Sequence, residues 1–187
     1  MEDSDLLRRI KAGDKAAFSE LVALYSVRVL NTCYRFIPNQ KDAEDISQEV
    51  FIEVFQSIQS FRGESKLSTW IYRIAVTKSL DEIRKRQRKK RIIAVGKMLH
   101  LDEISDWTSG GTRADSGLHE SESIREVMQV LNKLPENQRV AFTLSKIEGF
   151  SNQEIAEIMN TTIIAVESLV AHAKKRVSAE LIRILKK

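Results

Sequence analysis

Apolar residues recur every three or four positions along most of this 187-residue chain, and no long stretch alternates apolar and polar residues. The first spacing is typical of amphipathic helices, whereas strict alternation would indicate strands. Pro38 and Pro135 are the two prolines, so long stretches can stay helical without interruption. The pattern predicts an all-α protein.

The helical pattern breaks between residues 96 and 118, where four of the seven glycines lie in a polar, slightly acidic stretch. Such a composition is typical of a flexible linker. We interpret the preceding segment "RIIAVGKML" as the end of a helix. The chain is therefore predicted to form two small helical domains, at residues 1–92 and 119–187, joined by a flexible linker at residues 93–118.

One predicted helix begins after Pro38, with Asn39 as its N-cap and several acidic residues in its first turns. Its buried stripe consists of Ala43, Ile46, Val50, Val54 and Ile58. The outward face consists of Asp45, Gln48, Glu49, Ile52 and Gln56. This face is either an ordinary solvated surface or a docking surface for a partner.

A second long helix follows the polar loop "RGESK", with Ser68 or Thr69 as its predicted N-cap. Seven of the eight residues from Arg84 to Arg91 are basic. The run could be a solvated helix end, an import signal or a surface that binds nucleic acid. Its outward face consists of Lys78, Asp81, Lys85 and Arg88. The aromatic residues that follow the basic loop add weight to nucleic acid, since such a loop could capture an unstacked base.

Near the C-terminus, Ser151 and Glu154 have the spacing of a capping box, and Asn160 can end that short helix in the left-handed conformation. Thr161 or Thr162 can then cap a longer helix. Two helices joined by a tight turn predict a helix-turn-helix, although an ordinary helical hairpin has the same pattern. The longer helix turns an apolar stripe inward, and Ser168, Ala171, His172 and Lys175 lie outward.

Charge and cysteine content narrow the possibilities. The net charge is +4, but residues 1–83 carry 11 basic and 13 acidic side chains, so the positive charge is local. One cysteine, Cys33, and three scattered histidines give no metal-ligand spacing, and we expect no metal or cofactor. The N-terminus lacks the apolar core of a signal peptide, and no segment has the apolar length of a membrane span. We therefore expect a cytoplasmic protein.

The order of the motifs "DAEDISQEVF", "FRGESKLSTWIYRIA", a basic helix, a linker and "LPENQRVAFTLSKIEGFSNQEIAEIMN" resembles the extracytoplasmic-function (ECF) sigma factors of bacterial RNA polymerase. The resemblance covers nearly the whole chain. It implies a sigma region 2-like bundle at residues 1–92 and a sigma region 4-like helix-turn-helix at residues 119–187. The implied function is to direct RNA polymerase to promoters and to assist promoter opening.

The resemblance also implies partners and sites. The partners would be core RNA polymerase, through its β′ clamp and β flap, promoter DNA and an anti-sigma factor. The clamp would contact Asp45, Gln48, Glu49 and Ile52. The loop residues Arg62, Ser65 and Lys66 would capture a flipped base of the minus-ten element. The promoter would be lined at its upstream edge by Lys78, Asp81, Lys85, Arg86 and Arg88. The minus-thirty-five element would meet Glu167, Ser168, His172, Lys175 and Arg176.

This sequence departs from the family pattern at positions that touch bases. The family often has Asn at the position of Thr77, and basic residues near Glu167, Leu169 and His172. Two other classes of function are compatible with the pattern. One is a self-sufficient helix-turn-helix regulator that binds DNA without polymerase. The other is a metal-dependent nucleic-acid enzyme that uses the carboxylates of residues 42–49, but we expect no such activity, because this cluster has no histidine and no second acidic patch facing it.

Overall fold

The computed structural model describes residues 3–37, 39–98 and 128–185, and every regular element in these ranges is helical. The N-terminal half contains α1 (Asp3–Lys11), α2 (Lys15–Phe36), α3 (Gln40–Ser57), a 3-10 turn (Ile58–Ser60) and α4 (Leu67–Met98). The C-terminal half contains helical residues 128–132, α5 (Glu136–Lys146), α6 (Asn152–Met159) and α7 (Ile163–Leu185). The predicted all-α fold is confirmed.

Helices α2, α3 and α4 form the N-terminal bundle, in which α3 packs against both of the others. Asn39 caps α3 as predicted, since its side-chain oxygen accepts a hydrogen bond from the backbone N–H of Asp42 at 3.0 Å. The predicted inward stripe is also confirmed. Ala43, Ile46, Val50, Val54 and Ile58 are all buried. The opposite face of α3 is consequently fixed outward.

Helix α4 differs from the prediction at both ends. It begins at Leu67, so Ser68 and Thr69 lie inside its first turn and the predicted cap at these residues is wrong. The Thr69 hydroxyl is buried and has no hydrogen-bond partner in the described part of the chain. The helix continues to Met98, so residues 93–98 of the predicted linker are helical. Residues 99–127, which include the rest of that linker, lie outside the described residues.

The C-terminal half has the predicted helix-turn-helix. Ser151 and Glu154 form a reciprocal capping box at the start of α6, and Asn160 ends the helix with φ 51° and ψ 55°. Thr162 then caps α7, because its hydroxyl accepts from the backbone N–H of Ala165 at 3.2 Å. The axes of α6 and α7 are bent by 102° relative to each other, within the range of helix-turn-helix units. The turn is thus built from local signals.

The two halves share one hydrophobic core. Helix α4 packs against α6, and α2 contacts α5. Val140, Leu144, Ile155, Ile158 and Val166 belong to the same buried cluster as the core of the N-terminal bundle. The sequence predicted two units but left their relative placement open. In the described ranges they pack directly against each other.

Candidate nucleic-acid interface

The outward face of α3 is exposed. Asp45, Gln48, Glu49 and Ile52 are all on the surface, and Ile52 has 56% of its surface accessible. Glu49 also lies 3.7 Å from the ammonium of Lys78 on α4, measured from Oε2 to Nζ. The predicted polymerase-binding face therefore adjoins the predicted DNA-binding face of α4.

The sequence analysis missed an apolar part of this region. Phe55 is 59% exposed, and its ring meets the edge of Phe18 on α2 with centroids 5.0 Å apart. Leu24 and Val27 of α2 are exposed as well. Phe55 stands seven residues after Gln48 and three after Ile52, so helical spacing alone places it on the outward face of α3. Exposed aromatic and aliphatic side chains that cluster on one surface are typical of protein-binding sites.

The loop after α3 borders a cavity of about 430 Å³ whose walls include Phe61, Ser65, Thr69 and Trp70. The Phe61 and Trp70 rings are in contact, with centroids 4.9 Å apart. Both rings are largely buried, so they form the floor of the cavity rather than a free stacking platform. Arg62 is exposed at the rim. The cavity thus combines an aromatic floor with a rim of mixed charge, since Glu64 and Glu157 line it beside Arg62 and Arg73.

The basic end of α4 is partly neutralised by carboxylates of the same chain. Arg86 contacts Asp42 of α3 and Glu82 of its own helix, each at 2.8 Å. Lys85 lies 3.5 Å from Glu82 but keeps 76% of its side chain exposed. Arg88 is also exposed, and Asp81 pairs with the neighbouring Arg84 at 3.5 Å. Lys85 and Arg88 are therefore more available to a polyanion than Arg86 is.

The outward residues of α7 are placed as predicted. Its inward stripe packs on the domain core through Val166 and Ala173, which are completely buried. The predicted DNA-contacting residues Glu167, Ser168, His172, Lys175 and Arg176 are all exposed. A capped, two-helix unit that presents one helix outward has the geometry of a major-groove reader.

The two halves meet around one carboxylate, which sequence reasoning missed. Glu148 follows α5, and its side chain is only 9% exposed. Its Oε1 accepts hydrogen bonds from Thr32 at 2.9 Å and Arg35 at 2.5 Å, and its Oε2 accepts one from the Tyr72 hydroxyl at 3.0 Å. Burial, followed by the charge of Glu148, raises the pKa of Tyr72. All three donors belong to the N-terminal half.

Gly149 makes this arrangement possible. Its φ of +78° lies in the left-handed region that favours glycine. The turn places Phe150 edge-on against Tyr72, with centroids 4.7 Å apart. Glu148 and Phe150 therefore contact the same tyrosine from either side of the glycine.

The C-terminal half also contacts two cations of the N-terminal half, one of which, Lys66, was predicted to contact DNA. The Lys66 ammonium donates to Glu154 at 2.8 Å, and Arg73 donates through Nε to the backbone carbonyl of Glu157 at 2.8 Å. The hydrogen bond from Lys66, together with those from Ser151, lowers the pKa of Glu154 to about 2. Glu157 also lines the cavity beside Trp70. Lys66 is thus paired with α6, although 72% of its side chain stays exposed.

The described ranges contain no group of three or more His, Cys, Asp and Glu side chains that could hold a metal ion. They also contain no single helix with the length and apolarity of a membrane span, although α6 and α7 through Ile184 satisfy that test as a bent pair.

Two family models match the sequence. Residues 21–89 match Sigma-70 region 2, and residues 124–177 match Sigma-70, region 4. Together these matches span more than half of the chain.

Curated relatives extend the match over almost the full length. The ECF RNA polymerase sigma factor SigW of Bacillus subtilis is 31% identical, with 94% of each chain covered. The ECF RNA polymerase sigma-E factor of Escherichia coli K12 is 32% identical, with 95% of this chain and 93% of the relative covered. The RNA polymerase sigma-H factor of Pseudomonas aeruginosa is 29% identical and covers 99% of this chain and 96% of its own.

Solved structures share the fold. CnrH, determined in complex with the cytosolic domain of CnrY, has a TM-score of 0.69 at 22% identity and covers 97% of both chains. The sigma factor RpoE of Bartonella quintana, determined with the anti-sigma factor NepR, has a TM-score of 0.68 at 23% identity and covers 88% of this chain and 96% of its own. The chain therefore belongs to the ECF sigma factors, which direct bacterial RNA polymerase to specific promoters.

Proposed function

We propose that the outward face of α3 is the surface that binds core RNA polymerase. The observation that carries this assignment is the exposure of Asp45, Glu49 and Ile52 together on one helix face, extended by Phe55. The carboxylates complement positive charge on a partner and raise the rate of association, and the central apolar side chains become buried in the interface. By family resemblance the partner is the β′ clamp, while the C-terminal half meets the β flap.

Promoter DNA binds the same molecule at two places. The loop of Arg62, Ser65 and Lys66 and its cavity take an unstacked base of the minus-ten element, and the basic end of α4 holds the neighbouring phosphates. The helix-turn-helix of α6 and α7 reads the minus-thirty-five element. The exposed cations beside an aromatic-floored cavity support the first contact, and the outward α7 supports the second.

DNA at the minus-ten element competes with α6 for Lys66. The Lys66 ammonium donates to Glu154 at 2.8 Å, so a phosphate that takes this ammonium displaces that contact and loosens α6 from the N-terminal half. Polymerase binding supplies the free energy for this rearrangement by holding each half at its own site. The proposed domain limits are residues 1–92 and 119–187, and α4 continues past the first limit to Met98.

An inhibitory partner is expected as well. The sigma factor RpoE of Bartonella quintana was solved with its anti-sigma factor NepR. We extend that type of partner to this chain, where it would cover the α3 face or bind between the halves. The sigma factor itself catalyses no reaction, since polymerase performs the synthesis, and it acts in the cytoplasm, where the chromosome is.

Charge reversal on α3 tests the proposed polymerase contact. Asp45→Arg and Glu49→Arg place positive charge on an exposed face without disturbing the core, so each variant should keep wild-type circular dichroism. Each should lose co-elution with purified core polymerase on gel filtration, and transcription from upstream genomic fragments should fall at least tenfold. The matched control is Asp5→Arg, a similar reversal on α1.

Two outcomes contradict this assignment. One is normal co-elution of both α3 variants with core polymerase. The other is equal loss in the Asp5→Arg control, which would indicate a general effect of charge. A chain that shifts promoter duplex strongly without any polymerase would instead favour the self-sufficient regulator.

A further inference from the structure

The first three turns of α7 present an exposed stripe that has an unusual composition for a DNA reader. Ile164 heads the stripe and is 79% exposed, the largest exposure among the large hydrophobic residues of the described chain. Glu167, Ser168, Ala171 and His172 follow at spacings of three and four residues, and all are exposed. Val166 and Ala173 bury the opposite side of the helix, so this stripe faces solvent.

Positive charge is missing from this part of the sequence. No Lys or Arg occurs between Ile147 and Ala173, and the cations resume at Lys174, Lys175 and Arg176. These three are exposed on the fourth turn of α7. The helix thus separates two kinds of contact, since cations that can hold phosphates lie apart from a stripe that has none.

The stripe selects among bases by what its side chains can contact. Guanine is most often read by a bidentate Arg or Lys at O6 and N7, and the first two turns of α7 supply neither. Thymine presents a methyl group in the major groove, which favours an apolar side chain, and cytosine presents an amino group, which a carboxylate accepts. Ile164 fits the first base and Glu167 fits the second.

Ile164 and Glu167 lie at the N-terminal end of α7, the part of a recognition helix that contacts base edges. Asn160 and the Thr162 cap fix the start of α7 directly before Ile164. The N-terminal residues of a recognition helix are those that contact base edges. Residues three apart on a helix rise by about 4.5 Å, and successive base pairs are about 3.4 Å apart. Ile164 and Glu167 are therefore spaced for adjacent or next-adjacent base pairs.

We propose that Ile164 and Glu167 set the specificity of this sigma factor for its upstream promoter element, Ile164 by packing on the methyl group of a thymine and Glu167 by accepting a hydrogen bond from the amino group of a nearby cytosine. This rests on the proposed binding of the minus-thirty-five element by α7. It assigns thymine recognition to Ile164, an apolar residue outside the set of polar side chains predicted to bind DNA.

The test uses full-length protein with core polymerase and a library of promoter duplexes randomised at the upstream element. Selection with the wild-type holoenzyme should enrich thymine and cytosine within two base pairs of each other. Each thymine of the selected element is then replaced by deoxyuridine, which lacks only the methyl group. One replacement should weaken binding by about fourfold, the value of one buried methyl group at about 0.8 kcal/mol.

Variants identify the side chain that contacts the methyl group. Ile164→Ala should bind the thymine and deoxyuridine duplexes equally, while Glu167→Gln should lose the preference for cytosine and keep the response to deoxyuridine. Ile182→Ala is the matched control, since Ile182 is 52% exposed later on the same helix. It should behave as the wild type does. All three sites are exposed, so folding is not expected to change.

The inference is overturned if no single thymine responds to deoxyuridine, or if Ile164→Ala keeps the response. Loss of core polymerase co-elution by Ile164→Ala would also overturn it, because Ile164 would then be a protein contact. A wild-type holoenzyme that transcribes but enriches no upstream element would instead refute promoter reading by α7. Failure of the inference and failure of the proposed function are thereby separated.

Discussion

Glu154 joins two parts of the molecule, because its carboxylate completes the capping box of α6 and accepts from Lys66 of the N-terminal half. The Lys66 hydrogen bond and those from Ser151 lower its pKa from 4.5 to about 2. A carboxyl whose pKa is depressed on folding stabilises the fold above its unfolded pKa. That contribution is lost as the pH falls from about 4.5 towards 2.

Replacing the Glu154 carboxyl should make the free energy of unfolding depend less on pH between about 4.5 and 2. Glu154→Gln keeps the size of the side chain but cannot ionise, so it should unfold at lower urea concentration than the wild type at pH 6. The gap between the two midpoints should narrow as the pH falls through 4.5 towards 2. Urea titrations followed by circular dichroism measure it, with Glu167→Gln as an exposed control. A constant gap across that range would show that the Lys66 contact does not stabilise the fold.

Residues that act locally were predictable, and residues that act across the chain were not. Asn39, Ser151, Asn160 and Thr162 could be assigned as caps because each signal lies within a few positions of its partner. Glu148 bonds to side chains 76 to 116 positions away. No short spacing marks such a pair.

At the scale of elements, the basic end of α4 contains two kinds of cation. Lys85 and Arg88 are exposed and are expected to bind phosphates, whereas Arg86 is paired with carboxylates and is expected to stabilise the fold. Replacing Lys85 and Arg88 together by Gln should reduce the slope of log affinity against log salt by about 0.9 for each phosphate that the variant no longer neutralises. Arg86→Gln should leave the slope near wild type. It should instead lower the unfolding midpoint, because its pair with Asp42 joins α4 to α3 and its pair with Glu82 supports α4 itself. Partly exposed pairs of this kind contribute up to about 1 kcal/mol.

Holoenzyme binding to promoter duplex between about 50 and 200 mM salt measures these slopes. Thermal unfolding of the free chain measures the change in unfolding midpoint expected for Arg86→Gln. An unchanged slope in the double variant would remove the phosphate-binding role of this helix end. A reduced slope for Arg86→Gln alone would show that DNA displaces Asp42 and Glu82.

Helix faces were easier to predict than helix ends. The buried stripe of α3 fixed its outward face from spacing alone, and the same spacing would have included Phe55. The start of α4 was placed too late, since Ser68 and Thr69 have cap-forming side chains but Leu67 already begins the helix. The polar residues in that first turn gave a misleading signal because packing against the bundle buries Thr69.

At the scale of the whole molecule, the contact between halves depends on few polar groups set in a shared apolar core. Glu148 accepts from three donors, and its pair with Arg35 is largely removed from solvent. Around it lie Tyr72, Phe150 and the α4 contact with α6. Sequence patterns predicted the fold of each half but not the contact between them. The apolar residues that form this contact lie on the same helical stripes as those that build each half, so spacing does not distinguish the two sets.

Removing the Glu148 carboxylate should therefore loosen the whole molecule. Glu148→Ala removes the acceptor of Arg35 and Tyr72, while Thr32 still donates to the backbone carbonyl of Arg28. Loss of one partner from a buried pair costs about 3 kcal/mol. Small-angle X-ray scattering of the full chain should give a larger radius of gyration, while circular dichroism stays near wild type because each half keeps its own helices. Glu136→Ala is the matched control, since its pair with Arg84 at 3.3 Å also joins the halves but is more exposed. If Glu148→Ala matches the wild type in both scattering and unfolding midpoint, the Glu148 contacts do not hold the halves together, and the apolar core alone sets their packing.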